Sequence, residues 1–459
     1  MIMTLVEAAL ATGGTPSDGA IGFTAVATDS RSIRPGELFI ALDGERFDGH
    51  DFVADVLGRG AAAAMVSRAW AATCGKDLPL LAVDDTRLAL GHLAAHWRDK
   101  FDIPLIGITG SNGKTTVKEM CAAILRDHCG DEAVLATAGN LNNDIGLPMT
   151  LLGLRAGHRA AVIEMGMNHP GEIAYLTRLA SPTVALVNNA QRAHLEGLGS
   201  LVAVARAKGE IFEGLPAEGI AVINVDDPYA PLWRELAAGR RILGFGLNAA
   251  AEVGATVDPG FFSSHIHLAT PSGHTDFDLP VPGMHNASNA LAAAAACLAA
   301  DIPLSAVARG LTAYAGVKGR LQRAPGLHGA LVIDDSYNAN PDSMRAAVDV
   351  LAALPGRRIL VIGDMGEVGA AGGQFHDELG GYAKSMGVDR LYCLGELSVA
   401  AAHNFGEGGV HFTRLDELVR ALRAEMDETA TVLVKGSRFM RMERVVEAVT
   451  ANGDKNDAA

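Results

Sequence analysis

Residues Thr109 to Thr116 read Thr-Gly-Ser-Asn-Gly-Lys-Thr-Thr, between the apolar run Ile103 to Ile108 and the helical pattern Val117 to Leu125. A buried strand that breaks at glycines and resumes at once as a helix belongs to a strand–helix layer architecture. Its turn aims several backbone N–H groups and the positive helix end at one point, where an anion is favoured. Lys114 adds a full charge, and the Thr115 hydroxyl follows where such loops hold Mg²⁺ beside the β- and γ-phosphates. The spacing is compact. The common pattern puts four residues between its glycines, which counted back from Gly113 lands on Ile108, whereas here the turn is Gly110-x-x-Gly113-Lys114-Thr115. An ordinary glycine-rich turn is the competing reading, and the order of strand, Gly-Lys-Thr and helix counts against it. Gly110, Ser111, Asn112, Gly113, Lys114, Thr115 and Thr116 are the candidate nucleotide-binding loop.

A chain of 459 residues at ~150 residues per domain suggests about three domains. Up to about Asp85 the pattern is a small α/β unit, with strands at Glu37 to Leu42 and Ala61 to Val66 and a helix at Asp51 to Arg59. From Ile103 strands and helices alternate, as expected for a mainly parallel sheet covered on both faces. Ile103 to Ile108, Arg159 to Ile163, Thr183 to Val187 and Gly219 to Val225 are its apolar strands, and an alanine-rich helix, Asn289 to Ala300, follows. The composition breaks at Gly316 to Gly319. A second series then runs through strands Ala330 to Ile333, Arg358 to Ile362, Arg390 to Leu394 and Thr431 to Val434. The expected fold is α/β in three domains: a small N-terminal unit (1–86), a central P-loop unit with a mainly parallel sheet (87–316) and a Rossmann-like C-terminal unit (317–459). The polar tail, Asn452 to Ala459, is expected to be disordered.

The formal charge of −15 argues against nucleic acid or anionic membrane as a partner, since both need basic faces. Five scattered cysteines without CxxC spacing suggest neither a disulfide framework nor a zinc site, so a reducing cytoplasm is expected. The N-terminus lacks a basic n-region. The longest apolar run, Ala290 to Ala300, is too short to span a bilayer, so membrane insertion is not expected.

In open parallel sheets ligands sit beyond the carboxyl ends of the strands. The central strands end in the phosphate loop, in Glu164-Met165-Gly166, in Asn188-Asn189 followed by His194-Leu195-Glu196, and in Asp226-Asp227. Either Glu164 or His194 alone reads as a cap or a surface group. Their convergence on one sheet edge facing a phosphate loop suits an Mg²⁺ site, with oxygen ligands preferred and histidine less usual. In the helical pattern Leu201 to Phe212, Lys208 lies on the face with Leu201, Val204, Ile211 and Phe212. Such a lysine is paired with a carboxylate, chemically modified, or snorkelling its charge to the edge. The loop Gly139-Asn140-Leu141-Asn142-Asn143 gathers amides that also serve turns. In the third unit, Asp334-Asp335-Ser336-Tyr337-Asn338-Ala339-Asn340-Pro341 and Lys435-Gly436-Ser437-Arg438 both follow strands, the second suiting a carboxylate or phosphate.

These motifs, spread over nearly the whole chain, resemble the Mur ligases of bacterial peptidoglycan synthesis, which share the compact glycine spacing. Within that family, Gly139 to Asn143, Asp334 to Pro341 and Lys435 to Glu443 are similar to the branch that adds D-alanyl-D-alanine to UDP-N-acetylmuramoyl-tripeptide. The Asp-Asn-Pro-Arg motif of diaminopimelate addition is not found in the sequence. The resemblance implies an ATP-dependent amide ligase working through an acyl phosphate, with ATP and Mg²⁺ as cofactors and a monomeric state. It implies that Lys114 and Thr115 bind phosphates and Mg²⁺, that Glu164 and His194 bind Mg²⁺, and that Lys208 does so as a carbamate. Asn140, Asn289, Arg320 and Asp335 match positions contacting ATP. Asp29, Ser30, Arg31, Gly44, Asp48 and His50 match the UDP-sugar site, and Asn142, Asn143, Tyr337, Asn338, Asn340, Lys435, Ser437 and Arg438 are further substrate-binding candidates. Asn189-Ala190-Gln191-Arg192 departs from the family pattern, in which Ile-Gly and a small residue are more usual. Two other readings are a relative adding a single amino acid and a nucleotide-regulated P-loop switch, which would need neither a peptide acceptor nor a third domain.

Overall fold

The structure is a computed structural model that describes residues 1–44, 47–74 and 78–450. The tail from Asn452 to Ala459 lies outside the described residues. The largest sheet has nine strands in the order Gly273–Leu279, Ser264–Thr270, Val253–Pro259, Arg241–Gly246, Ile220–Asn224, Val184–Val187, Leu105–Thr109, Ala160–Glu164 and Val134–Ala136. From Val253–Pro259 to Val134–Ala136 all pairings are parallel, and the last two strands at the other edge add antiparallel. The strand before the phosphate loop sits between Val184–Val187 and Ala160–Glu164, in register Val184 to Ile106 and Ala161 to Leu105. All five of its residues are buried. Helices therefore cover both faces, which is why these strands read as unbroken apolar runs.

On one face, Ile106, Ile108, Val162 and Leu186 pack against helices Lys114–Cys129 and Met284–Ala299. Ala290 and Ala292 to Ala296 are all fully buried; methyl side chains let this helix lie close to the sheet and to its neighbour, where the Cys121 thiol is 3.9 Å from the Ala293 carbonyl. A side chain at Gly310 would meet the backbone of Ile124 at 2.4 Å, so the helix behind the loop is also wedged from outside. On the other face, Ile163, Val187 and Ile223 share a core with helices Thr86–Arg98, Glu172–Ala180 and Leu201–Gly209.

That core continues into the N-terminal unit through Leu38, Ile40 and Met65. Its main sheet runs Thr15–Pro16, Leu80–Val83, Ala63–Ser67, Leu38–Ile40, Val26–Ala27. The C-terminal sheet runs Gln322–Pro325, Leu331–Asp335, Ala430–Lys435, Arg357–Gly363, Arg390–Leu394, Gly409–Phe412, antiparallel only at its first pair. The architecture is α/β, as expected. Two local readings change. The helix carrying Lys208 ends at Gly209 and tightens into a 3-10 turn over Glu210–Gly214, where the Glu210 carboxylate accepts from the Gly171 and Ala174 N–H groups and caps the next helix. The alanine-rich helix starts at Met284 after Gly283, so Asn289 sits within it, not at its start.

Helix Leu201–Gly209 is pinned by Trp233, which is fully buried and donates its indole N–H to the Ala205 carbonyl at 2.9 Å. Trp233→Ala removes that bond and opens a cavity. A loss of about 3–5 kcal/mol is expected from urea unfolding, and a loss under ~1 kcal/mol would show that the helix is held elsewhere.

Candidate active site

A cleft of about 1220 Å³ lies where the carboxyl ends of the central strands face those of the C-terminal sheet. Its walls include Ser111 to Thr116, Asn142, Asn143, Glu164 and His194 on one side and Arg320, Tyr337, Asn338, Asn340, Ser437 and Arg438 on the other. The loop at its floor is shaped by Gly113, whose φ of +78° is left-handed and where a Cβ would come within 2.3 Å of Asn289 Oδ1. Only glycine fits such a position. Asn289 Oδ1 in turn accepts from Asn188 Nδ2 at 3.0 Å, and the same amide donates to the Asn112 carbonyl at 2.9 Å. An amide ladder thus ties the helix Met284–Ala299 to the loop.

The segment after strand Val184–Val187 braces the loop from the other side. Ser111 N donates to the Asn189 carbonyl (3.0 Å), Asn112 N to Asn189 Oδ1 (2.9 Å), and Asn112 Nδ2 to Gln191 Oε1 (2.6 Å). The departure at Asn189 to Arg192 is therefore absorbed into bracing, with His194 kept at the cleft.

Lys114, half-buried, donates from Nζ to the Gly110 and Ser111 carbonyls at 2.6 and 3.3 Å. Burial pushes its pKa down, and Glu164 opposes that shift. Glu164 is 2% exposed. Its Oε1 accepts from Asn142 Nδ2 at 2.7 Å, while Oε2 is buried with no hydrogen-bond partner. Lys208 is fully buried, and its Nζ likewise has none. Burial drives that amine well below its ordinary range and Lys114 pushes the same way, with Glu164 opposing, so the environment favours the uncharged amine. Of the three readings for this lysine, snorkelling is excluded and no carboxylate is bonded to it.

His194 takes a left-handed φ of 56° at the start of the short helix Leu195–Leu198. Its Nδ1 lies 2.7 Å from the Glu367 carboxylate. Burial lowers the imidazole pKa, partly opposed by Glu367. The environment thus favours the uncharged ring, the form in which an imidazole nitrogen can bind a cation.

The C-terminal unit is docked on the loop. Asn340 and Asn112 exchange side-chain hydrogen bonds at 2.8 and 3.2 Å, and Arg192 grips Asp342 with its backbone N–H (2.8 Å) and guanidinium (2.7 and 3.1 Å). Tyr337 lies between two guanidiniums, Arg320 at 4.5 Å and Arg438 at 5.7 Å from its ring centre. Lys435, 1% exposed, spends its charge on Asp335 (2.6 Å) and the Asn338 carbonyl (3.0 Å). Ser437 Oγ donates to the Ala339 carbonyl at 3.0 Å and accepts from Gly366 N at 2.8 Å. Asn143 caps Gly146 N at 2.8 Å, and Asn140 is exposed and does not line the cleft.

Asp29, Ser30, Arg31, Gly44, Asp48 and His50 lie in the N-terminal unit and do not line this cleft. Arg31 clamps Asp29 at 2.8 and 2.9 Å and holds its carboxyl down to about 2. The Ser30 carbonyl accepts from Arg59, and Gly44 N donates to the Phe47 carbonyl. His50 is buried between Asp48 (2.6 Å) and Ser67 N (3.0 Å). Residues not anticipated are Glu367, the Arg192–Asp342 clasp, and Asp85, Arg87, Asp144 and Tyr175, which also line the cleft.

Three family models match the chain in order: Mur ligase family, catalytic domain (residues 22–98), Mur ligase middle domain (108–297), and Mur ligase, glutamate ligase domain (319–438). The Escherichia coli UDP-N-acetylmuramoyl-tripeptide–D-alanyl-D-alanine ligase is 47% identical, covering 94% of this chain and 95% of its own length. The Bacillus subtilis enzyme of that name is 35% identical, covering 92% of each. Among solved structures, MurF from Acinetobacter baumannii superposes with a TM-score of 0.89 at 38% identity, covering 97% of this chain and 98% of that one. MurF ligase from Thermotoga maritima in complex with ADP gives 0.81 at 28%, covering 92% and 96%.

A methyl at Gly113 would strike Asn289 and strain the turn, so Gly113→Ala is expected to weaken MgATP binding by roughly tenfold or more, a loss of about 1.4 kcal/mol. Calorimetric titration checks this; unchanged affinity would mean that the loop does not hold phosphate.

Proposed function

This chain belongs to the Mur ligase family, and we propose that it joins D-alanyl-D-alanine to UDP-N-acetylmuramoyl-tripeptide at the expense of ATP. The observation that carries the reading is the cleft itself, in which a phosphate loop faces Arg320 and Arg438 across a gap lined by both units. The similarity to ligases of that name along nine-tenths of the chain supports the choice of dipeptide over a single amino acid. No helix among the described residues is long and apolar enough to cross a membrane. We take the enzyme to work as a cytoplasmic monomer, with residues 1–86 for the UDP-sugar, 87–316 for ATP and 317–459 for the dipeptide and part of ATP.

The donor set fits a divalent cation. Glu164 Oε2 is buried with no hydrogen-bond partner, close to Lys208 and in the cleft that His194 also lines, and hard cations prefer such oxygen ligands. Thr115, Glu164, His194 and Lys208 would hold magnesium, which supplies charge neutralisation for the β- and γ-phosphates. Lys208 would serve as a carbamate: its uncharged amine would add to the carbon of CO₂, one proton would leave, and the N-carboxylate so formed would offer anionic oxygen donors.

Lys114 would give up the carbonyls of its own loop for phosphate oxygens. The tripeptide carboxylate then attacks the γ-phosphorus and ADP departs, giving an acyl phosphate. The dipeptide amine attacks the acyl carbon, inorganic phosphate leaves, and the nitrogen loses a proton as the amide forms. Protein groups position and neutralise; they do no covalent chemistry in these steps.

Phosphate release is expected only when ATP, UDP-tripeptide and D-alanyl-D-alanine are present together, with diaminopimelate or lysine unable to replace the dipeptide. Release without an acceptor would favour the switch reading, and acceptance of a single amino acid would favour a sister ligase. Lys114→Ala is expected to lower kcat on the order of 10² to 10³, and near-normal turnover would remove the role given to it. Lys208→Ala is expected to be inactive and partly restored by short carboxylates; an inactive variant that none of them rescues would remove the carbamate.

A further inference from the structure

The antiparallel edge of the central sheet carries a second cluster of ligating groups, remote from the cleft. On strand Ser264–Thr270, His265 and His267 point to the exposed face, while Ile266 and Leu268 turn into the core. Asp258 and Asp278 both pair with His265 across the ladder, and Asp276 pairs with His267. Alternation along three strands thus gathers two imidazoles and three carboxylates on one open surface. Four strands separate it from the phosphate-loop strand, and none of the five residues lines the cleft.

The contacts within the cluster do not balance with neutral rings. His265 Nδ1 is 2.7 Å from Asp278, His267 Nδ1 is 2.9 Å from Asp276, and His267 Nε2 is 3.2 Å from Asp258. Three such contacts need three ring protons, and two neutral imidazoles carry two. One more positive charge is required, either a proton on His267 or a metal ion. Asp276 and then Asp258, as acceptors, raise the His267 pKa, which is the proton's side of that choice.

We infer that His265, His267 and Asp276 form a peripheral site for a divalent transition metal such as Zn²⁺, with Asp258 and Asp278 as supporting carboxylates. The ligand atoms of the first three lie within 4.8 Å of one another, and the two rings are 4.7 Å apart and steeply inclined at 75°. In a tetrahedral zinc site, ligand atoms at the usual bond lengths of ~2.1 Å sit about 3.4 Å apart. Side-chain rotations of these solvent-facing groups would close the remaining distance, at most about 1.4 Å at tetrahedral spacing. Two imidazoles with one carboxylate favour zinc, nickel and copper over magnesium, whereas the cleft offers mainly oxygen donors with a single imidazole, so the two sites would favour different ions; copper would bind most tightly at the edge.

The test is a Zn²⁺ titration of the full chain by calorimetry, after chelator treatment, near neutral pH and with excess Mg²⁺, alongside His265→Ala/His267→Ala and Asp276→Asn. Wild type is expected to bind one Zn²⁺ that the double variant loses and that Asp276→Asn weakens by roughly 10- to 100-fold, as for other losses around a metal. Ligase turnover in Mg²⁺ is expected to stay unchanged in the double variant, showing that it is folded. Histidine ring ¹⁵N spectra of wild type should shift at His265 and His267 on adding Zn²⁺. Equal zinc binding in wild type and double variant, or a protonated His267 whose spectrum zinc leaves in place, would overturn the inference and leave a proton as the bridging charge.

Discussion

The structure depends on how three ionisable groups share one buried corner. Lys114, Glu164 and Lys208 meet where the central strands end, and burial disfavours the charged form of each amine. An isolated buried ammonium costs several kcal/mol, so two amines near one carboxylate cannot both stay charged cheaply. Burial favours loss of the proton at Lys208, and Lys114 keeps contact with its own loop carbonyls. The corner is therefore short of negative ligands and rich in potential donors to a cation. The apolar sheet, the alanine helix and the Trp233 brace all serve to keep water out of it and its geometry fixed.

A second consequence is that the site is assembled from two units. Asn112 to Asn340, Arg192 to Asp342 and His194 to Glu367 each join the central unit to the C-terminal one around the loop. These contacts are polar and reach across a cleft of about 1220 Å³, which suits docking that loosens and re-forms as substrates enter and products leave. Lys435 illustrates the division of labour: neutralised by Asp335, it shapes the wall and leaves Arg320 and Arg438 to present charge.

Much of this was legible in the chain. The phosphate loop follows from glycine spacing and flanking periodicity, and the burial of Lys208 from its place in a 3.6-residue stripe. The parallel strands declare themselves as apolar runs because both faces are covered. The antiparallel edge was missed for the converse reason: Ser264–Thr270 and Gly273–Leu279 have one open face, and alternating His and Asp residues hide the apolar half. Glu367 left no signal, since it reaches His194 from a loop with a left-handed φ of 59° that only the docking of two units brings close. Asn189 to Arg192 looked like a departure in sequence, and in three dimensions its amides and guanidinium are the brace and the clasp.

The central claim is that the tripeptide carboxylate is activated by attack on phosphorus, through an acyl phosphate. It is tested most directly by labelling both oxygens of that terminal carboxylate with ¹⁸O and analysing the inorganic phosphate released during ligation by mass spectrometry. Phosphate carrying one ¹⁸O per amide bond formed is the result expected for an acyl phosphate. Unlabelled phosphate, with both labelled oxygens accounted for elsewhere, would contradict it.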